Sequence, residues 1–397
     1  MNQTKKQAEL RTIILDKIYA KGPISRIDIS KETGITPATV SAITGSLIQE
    51  KLLYELGEDE EHAKVGRKKI LLSIKKQHSY FIGCELSEKY FSFVLSDNTG
   101  NVIDKDKATV TSEKILAEGA DLFCHLLEQF IFRNNSYTIQ AVGVAIPGRY
   151  LHNDLITTNN QTWKQFDLAK IKNEFSFPIY FSNNVNCMAL AKRLFSAYQL
   201  DENFIYFHFA RGMHCSYMYN GKIYGKSNIV IGEIGHTVVC PDGEVCGCGR
   251  RGCLQTYASE SWLIKKAKII FETAELTYLK SLVTDKEEIT IQTILTAYKL
   301  GDQAILNLLH LAFKYLAQSL LNLSMMIDAK KIYLHSPILT DDKVIAAFYQ
   351  EISQQPKLLF KDLPELIIEP YSDFTGAVAG VALCLQKEFL SIYLHYG

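Results

Sequence analysis

The stretch "CGCGRRGC" at residues 246–253 places Cys246, Cys248 and Cys253 within eight residues, separated only by glycine and arginine. A chain that gathers three thiols must oxidise them, ligate them or hold them inert in a glycine-rich loop. The full chain of 397 residues carries nine cysteines, an odd number. Its start, "MNQTKKQAEL", lacks the apolar stretch of a secretory signal. Disulfides are therefore not expected, and the clustered thiols read as metal ligands.

A length of 397 residues predicts two or three domains. With 47% apolar and 22% charged residues, the composition is globular, with ample material for buried cores. Lys plus Arg and Asp plus Glu both number 43, so bulk charge selects no partner. Any nucleic-acid site must come from local arrangement. No run of uncharged apolar residues approaches the length of a membrane span, so none is expected.

The first segment supplies such an arrangement. Leu10, Ile13, Ile14 and Ile18 recur at helical spacing, and Gly22-Pro23 ends that helix. Ser25 with Asp28 resembles a capping box for a short helix stopping at Gly34. Thr36 then caps a third helix, with Pro37 at its first position and Val40, Ile43, Leu47 and Ile48 as its inner face. Three short helices with a tight glycine turn between the last two predict a helix-turn-helix. The following acidic loop, the basic run Arg67-Lys68-Lys69 and the strand-like "ILLSI" read as a positively tipped wing. Residues 1–72 hold 12 Lys and Arg against 10 Asp and Glu, so the case rests on the motif. Thr36, Ala38, Thr39 and Ser41 are the candidate base-edge residues, with short side chains suited to methyl and phosphate contacts. Arg67, Lys68 and Lys69 are the candidates for phosphates or a narrow minor groove.

Beyond about residue 75 the texture changes. A hairpin meander turns at 98–101. "TIQAVGVAIPGRY" is a buried strand with a Pro-Gly exit, and "FPIYFSNNVNCMALAKRLF" reads strand, polar turn, helix. "NFIYFHFARGMHCSYMYNGKIYG" is a strand pair, "KKIYLHS" is a late strand, and a last helix begins near 375. Strands alternating with helices predict an α/β body.

Together "GVAIPG", "SNNVN", "IGEIGHTVVCPDGEVCGCGRRGCLQTYAS" and the late "GAVAG" resemble the signature of the ROK family (repressors, open reading frames and sugar kinases). The resemblance covers nearly the whole chain, and its cysteine motif is the specific part. It implies an N-terminal winged helix-turn-helix followed by a two-lobed, actin-like (ribonuclease H-like) sugar-kinase fold, with a sugar held between the lobes. Expected domains are 1–75, 76–192 plus 376–397, and 193–375 with the metal loop. The resemblance also implies one structural Zn²⁺ per chain, held by His236, Cys246, Cys248 and Cys253 in a closed tetrahedron. Cys240 is a spare thiol nearby. Sugar contacts are implied for Asn183, Asn184, Glu233, His236 and Gln255; Gln255 stands where the family usually has glutamate.

Family kinases need three elements that this chain lacks. The first phosphate loop is replaced by Glu85-Leu86-Ser87-Glu88-Lys89, without glycines and with an added carboxylate. The glycine-rich G-T-G-x-G-x-G loop corresponds to Ala210-Arg211-Gly212-Met213-His214-Cys215-Ser216, where one glycine survives. The N-D-x-N motif, whose aspartate is the base, reads Asn183-Asn184-Val185-Asn186. An amide cannot serve as a general base near neutral pH. The expectation is therefore a non-enzymatic, sugar-responsive repressor of carbohydrate-utilisation genes, as in the family's xylose-repressor-like branch. It is expected in the cytoplasm as a homodimer or larger homo-oligomer, on double-stranded operator DNA. Two alternatives stay open: an ATP-dependent sugar kinase with a fused DNA-binding head, and a repressor controlled by a protein partner.

Overall fold

The computed structural model describes residues 4–58, 69–150, 154–158, 160–196, 201–225, 230–355 and 364–391. It divides into two compact units, Met1–Leu200 with Asp373–Gly397, and Asp201–Ser372.

The first unit opens with a small helical head. Helix α1 (Lys5–Lys21) begins in a reciprocal cap, Thr4 and Gln7 each bonding the other's backbone amide. It buries Ile14, Leu15 and Ile18; Ile13, expected on that face, is 43% exposed because the stripe centres one residue later. Ser25 caps α2 (Arg26–Thr33), and the Asp28 carboxylate answers on the Ser25 hydroxyl at 2.6 Å. Gly34 closes α2 in the left-handed conformation (φ 71°). Thr36 and Pro37 then start α3 (Pro37–Gln49), which buries Val40, Thr44 and Leu47. Strands β1 (Ile24–Ser25), β2 (Leu53–Glu58) and β3 (Ile70–Ile74) form a sheet in the order β1-β3-β2. Helix, helix, recognition helix and two-stranded wing follow in the order the sequence predicts.

The body of the first unit is a five-stranded sheet. A meander of β4 (Tyr80–Leu86), β5 (Tyr90–Asp97) and β6 (Val102–Thr109) is extended by β7 (Ile139–Ile146). A short pair, β8 (Arg149–Tyr150) and β9 (Ile156–Thr157), comes next, and β10 (Ile179–Asn183) joins β7 in parallel. The order is β10-β7-β4-β5-β6. Helices α4 (Ser112–Arg133), α5 (Leu168–Glu174) and α6 (Asn184–Phe195) complete this part. The boundary expected at 192 falls inside α6, which runs unbroken to Phe195.

The second unit repeats the plan. Strands β11 (Phe204–Phe209), β12 (Met213–Tyr219) and β13 (Lys222–Ile223) are an antiparallel meander, and β14 (Lys331–His335) and β15 (Glu365–Glu369) add in parallel. Its order, β13-β12-β11-β14-β15, matches the first sheet strand for strand. Its helices are α7 (Gln255–Ala258), α8 (Glu260–Thr273), α9 (Leu279–Leu282), α10 (Ile291–Lys299), α11 (Gln303–Met326) and α12 (Asp342–Ser353). Among the described helices, α11 is long and apolar enough to cross a membrane, yet Leu309, Phe313, Leu316 and Leu320 along it are buried in this unit's core.

The chain then returns to the first unit as α13 (Thr375–Glu388). Side chains at Gly83, Gly143 or Gly380 would collide with opposing backbone, so α13 rides directly on β4 and β7. This is the physical reason for "GAVAG". The apolar core under α13 takes in Ile14, Leu15 and Ile18 of the head together with Phe81, Leu190, Leu194, Val381 and Leu385. Head and first lobe thus share one core.

Candidate functional site

His236 ends a one-turn 3-10 helix, Ile234–His236, and the cysteines follow in a loop shaped by glycine. Gly249 (φ 88°) and Gly252 (φ 66°) are left-handed, and a side chain at 252 would strike the Cys240 carbonyl. Isolated bridges pair Val238 with Cys253 and Val245 with Arg251. The Cys246 amide donates to the Arg250 carbonyl at 2.8 Å, and the Gly249 amide donates to the Cys246 carbonyl at 2.9 Å. This folding brings a ring nitrogen of His236 and the three Sγ atoms within 4.8 Å of one another. Cys246 Sγ lies 3.6 Å from His236 Nδ1, and Cys248 Sγ lies 3.7 Å from Cys253 Sγ.

The electrostatics suit a cation. Burial raises the Cys248 thiol pKa, but the backbone and guanidinium of Arg250 and the neighbouring thiols outweigh it and bring it down to about 6. Burial and the other two sulfurs push Cys253 up to about 12. The Cys248 thiolate forms readily, while Cys253 holds its proton until positive charge arrives. All four expected ligands are therefore brought together as a group able to hold a metal ion.

Gln255, the first residue of α7, donates Nε2 to Cys246 Sγ at 3.1 Å. Its amide braces the thiol cluster, a role the sequence reading did not foresee. Glu233 immediately precedes the 3-10 turn, and its Oε1 lies 3.5 Å from Nδ1 of His214. His214 is buried, and a side chain on Gly232 (φ 91°) would collide with its ring. A histidine in the degenerate glycine loop thus backs the carboxylate expected to read sugar. Its signal was the departure from glycine at 214. Register also aligns His214, His208 and His335 across β12, β11 and β14, with Nδ1 atoms of His208 and His335 2.9 Å apart.

The asparagines belong to the first unit. Asn183 is the cap of α6: its Oδ1 accepts from the amides of Val185 (3.0 Å) and Asn186 (3.1 Å), and Nδ2 donates to the Gly148 carbonyl at 2.9 Å. Asn184 bonds the side chain of Glu85. Glu85 is buried; burial and then Asp373 raise its carboxyl to about 8, against the Asn184 side chain and the Gly376 amide. Near neutral pH Glu85 is mostly uncharged. Because its folded pKa lies above the unfolded one, its contribution to stability is fully present below about pH 4.5 and is lost as pH rises through about 8. Glu85→Gln is expected to raise thermal stability at pH 8–9, by on the order of 2 kcal/mol, and to change little at pH 4. Melting curves of both proteins across that range check this; equal shifts at both ends would contradict it.

In the head, Thr36, Ala38 and Ser41 are exposed along the start of α3, and Thr39 is half-exposed. The Thr36 hydroxyl is 2.9 Å from that of Thr39. Arg26 braces the helix, donating to the buried Thr44 hydroxyl at 2.9 Å and to Glu55 of β2 at 2.8 Å. Arg67 and Lys68 lie outside the described residues. Lys69 pairs with Asp28 at 2.8 Å, tying the wing to the first turn of α2. A phosphate contact from Lys69 requires exchange of that partner.

Similarity to known proteins agrees with this anatomy. The ROK family profile matches residues 81–387. A xylose repressor of Bacillus spizizenii is 28% identical over 349 residues, 86% of each chain. The transcriptional dual regulator NagC of Escherichia coli is 24% identical over 388 residues, 94% of this chain and 92% of its own. Among solved structures, a ROK family transcriptional regulator homologous to E. coli Mlc superposes with a TM-score of 0.77 at 22% identity, covering 98% of both chains. A ROK family glucokinase from Streptomyces griseus, solved with glucose and AMPPNP, reaches 0.65 at 20% identity over 77% of this chain and 99% of its own. The duplicated actin-like body, with a His and three Cys in one loop, is thus matched by a profile spanning residues 81–387, most of the chain, and the protein belongs to the ROK family.

Proposed function

We propose that this protein is a sugar-responsive, DNA-binding transcriptional repressor. The observation that carries the reading is the pairing of a helix-turn-helix head, with wing strands β2 and β3 beside it, and a kinase-type body whose catalytic positions are occupied otherwise. Asn184 stands at the base position and bonds an uncharged Glu85. In the former glycine loop the Ala210 amide donates to the Gly212 carbonyl at 2.9 Å, and His214 fills a glycine position. Relatives along most of the chain are a xylose repressor and an N-acetylglucosamine repressor, which supports a sugar effector of that class.

Zinc is the ion we assign to the cluster. Zn–S of about 2.3 Å and Zn–N of about 2.0–2.1 Å give tetrahedral edges of roughly 3.8 Å between sulfurs and roughly 3.6 Å between sulfur and nitrogen. Two of the six edges, at 3.7 and 3.6 Å, match these values, and all six lie within 4.8 Å. Four protein ligands leave no position for water, so the ion's role is to fold the loop that carries Glu233 and His236. His236 would use Nδ1 for the ion and Nε2 for a sugar hydroxyl. Glu233 is the principal sugar contact, with Asn183, Asn184 and Gln255 lending the hydrogen-bonding capacity their structural bonds leave over. Thr36, Ala38, Thr39 and Ser41 would meet base edges, and Arg67, Lys68 and Lys69 phosphates. A symmetric dimer in the cytoplasm would engage a pseudo-palindromic operator.

The test is operator release. Duplexes selected by the wild-type protein from a random pool are bound, then challenged with D-xylose, N-acetylglucosamine and glucose in the absence of other proteins. Release by one of them is expected; indifference to all, with release by a cell extract, would transfer control to a protein partner. The kinase alternative has its own check. Loss of the base alone removes roughly 10²–10⁴ in rate. Coupled assays are expected to give ATP-dependent turnover at least about 10⁴-fold below the 1–100 s⁻¹ of ordinary kinases. Faster turnover on any of the three sugars overturns the non-enzymatic reading.

A further inference from the structure

Helix α6 has different neighbours at its two ends. At its start are Asn183 and Asn184, the first fixed by two amide bonds and the second bonded to Glu85. In its last turn is Arg193, only 7% exposed. Its guanidinium makes a two-pronged pair with Asp16 of α1, Nη1 to Oδ1 at 2.8 Å and Nη2 to Oδ2 at 2.5 Å. Nine residues separate Asn184 from Arg193, roughly 14 Å of helix. One rod therefore runs from the asparagines to the DNA-reading head.

The rod is held along its length. Leu190 and Leu194 are buried in the same core as Ile14, Leu15 and Ile18 of α1 and Val381 and Leu385 of α13. A shift at the start of α6 is consequently passed on as a displacement of the whole helix. The fork on Asp16 makes the far end directional: a planar guanidinium meets a carboxylate with both prongs in only a narrow range of poses. Movement that opens it strands a buried charge, so poses between a paired and a fully released head are disfavoured. Further bonds between head and body, Asn98 Nδ2 to the Lys75 carbonyl at 3.0 Å and to the Tyr19 hydroxyl of α1 at 3.4 Å, and His78 Nε2 to the Glu50 carbonyl at 3.3 Å, start from the β5–β6 turn and the residues just before β4, away from the asparagines.

We infer that Arg193 is the positioning residue through which sugar occupancy near the start of α6 sets the pose of the head, by way of Asp16. This rests on the sugar-responsive reading above.

The experiment uses the full-length protein, the sugar among D-xylose, N-acetylglucosamine and glucose that the wild type binds most tightly, and a selected operator duplex. Arg193→Met keeps much of the volume without the charge; Asp16→Asn removes the charge at the more exposed end and covers the case in which the methionine variant does not fold. Four affinities are measured: sugar with and without operator, and operator with and without saturating sugar. Both variants are expected to bind sugar alone and operator alone within about threefold of wild type. The ratio of operator affinities without and with sugar is expected to fall at least about fivefold. Linkage requires the sugar ratio to fall by the same factor, which a merely structural defect does not produce. The swap Asp16→Arg with Arg193→Asp should recover part of the ratio. An undiminished ratio in folded variants overturns the inference and leaves the sugar reading intact. Loss of operator binding in both variants without sugar overturns it as well, making the pair a strut for the head. A wild-type operator complex that no sugar in the panel releases removes the sugar reading, and this inference with it.

Discussion

Cys248→Ser is expected to reduce bound metal from about one zinc per chain to less than about a fifth, and to lower the melting temperature by about 10 °C or more. Serine leaves three ligands and removes the thiol with the strongest tendency to ionise, held near pKa 6 by Arg250 against its burial. Structural zinc in small folds contributes roughly 10–16 kcal/mol of apparent binding free energy. Here the second unit has a core of its own, so only part of that appears as lost stability. A deficit of about 3 kcal/mol in a unit of this size already corresponds to about 10 °C. Chelation of the wild type should reproduce the shift, because the loop's glycine turns and its two isolated bridges are short and depend on the knot. Elemental analysis and calorimetry on the same preparations check both parts. A variant that keeps a full equivalent of zinc, or a metal-free wild type that melts where the loaded one does, would remove zinc from the fold.

The parts of this fold that were legible in the sequence are those whose cause is local. Thr36, Pro37 and Gly34 specify where helices of the head begin and stop because a cap or a left-handed residue acts over one turn. The cysteine loop is equally local, three ligands lying within eight residues. What escaped reading depends on partners far apart in the chain. Lys69 meets Asp28 across 41 residues, and Arg193 meets Asp16 across 177. No spacing rule announces such pairs. Glu85 reads as the start of the altered phosphate loop with Ser87 and Glu88, and nothing local announces that α13 returns from the far end of the sequence to bury it under Gly376. The duplicated sheet order was hidden because the two halves share topology and not side chains. Asn183 shows a subtler limit: the same amide that resembles a sugar ligand is also a helix cap, and only its three bonds reveal how much of its capacity is already committed.

Glu233→Ala is expected to give a repressor that binds operator normally, retains zinc and no longer responds to sugar. Glu233 sits three residues before the metal ligand His236, with its carboxylate 3.5 Å from the buried ring of His214. A carboxylate so placed can accept from sugar hydroxyls, and such charge-assisted bonds contribute on the order of 1.5–3 kcal/mol each. Each bond lost therefore lowers sugar affinity by about one to two powers of ten. Two bonds together would carry the effector beyond millimolar working concentrations. The head belongs to the other unit, sharing that unit's core and held by its own caps and braces, so operator affinity without sugar should stay within about threefold. In cells the phenotype is constitutive repression. Glu233→Gln separates charge from shape: it retains a hydrogen-bonding oxygen next to His214 and should recover part of the response. Calorimetry with the sugar that releases the wild type, and operator binding with and without it, are the measurements. Normal induction of the alanine variant at the wild-type sugar concentration would place the effector elsewhere. Loss of zinc and operator binding together would show instead that Glu233 holds the loop, the carboxylate serving His214 and the fold in place of a ligand.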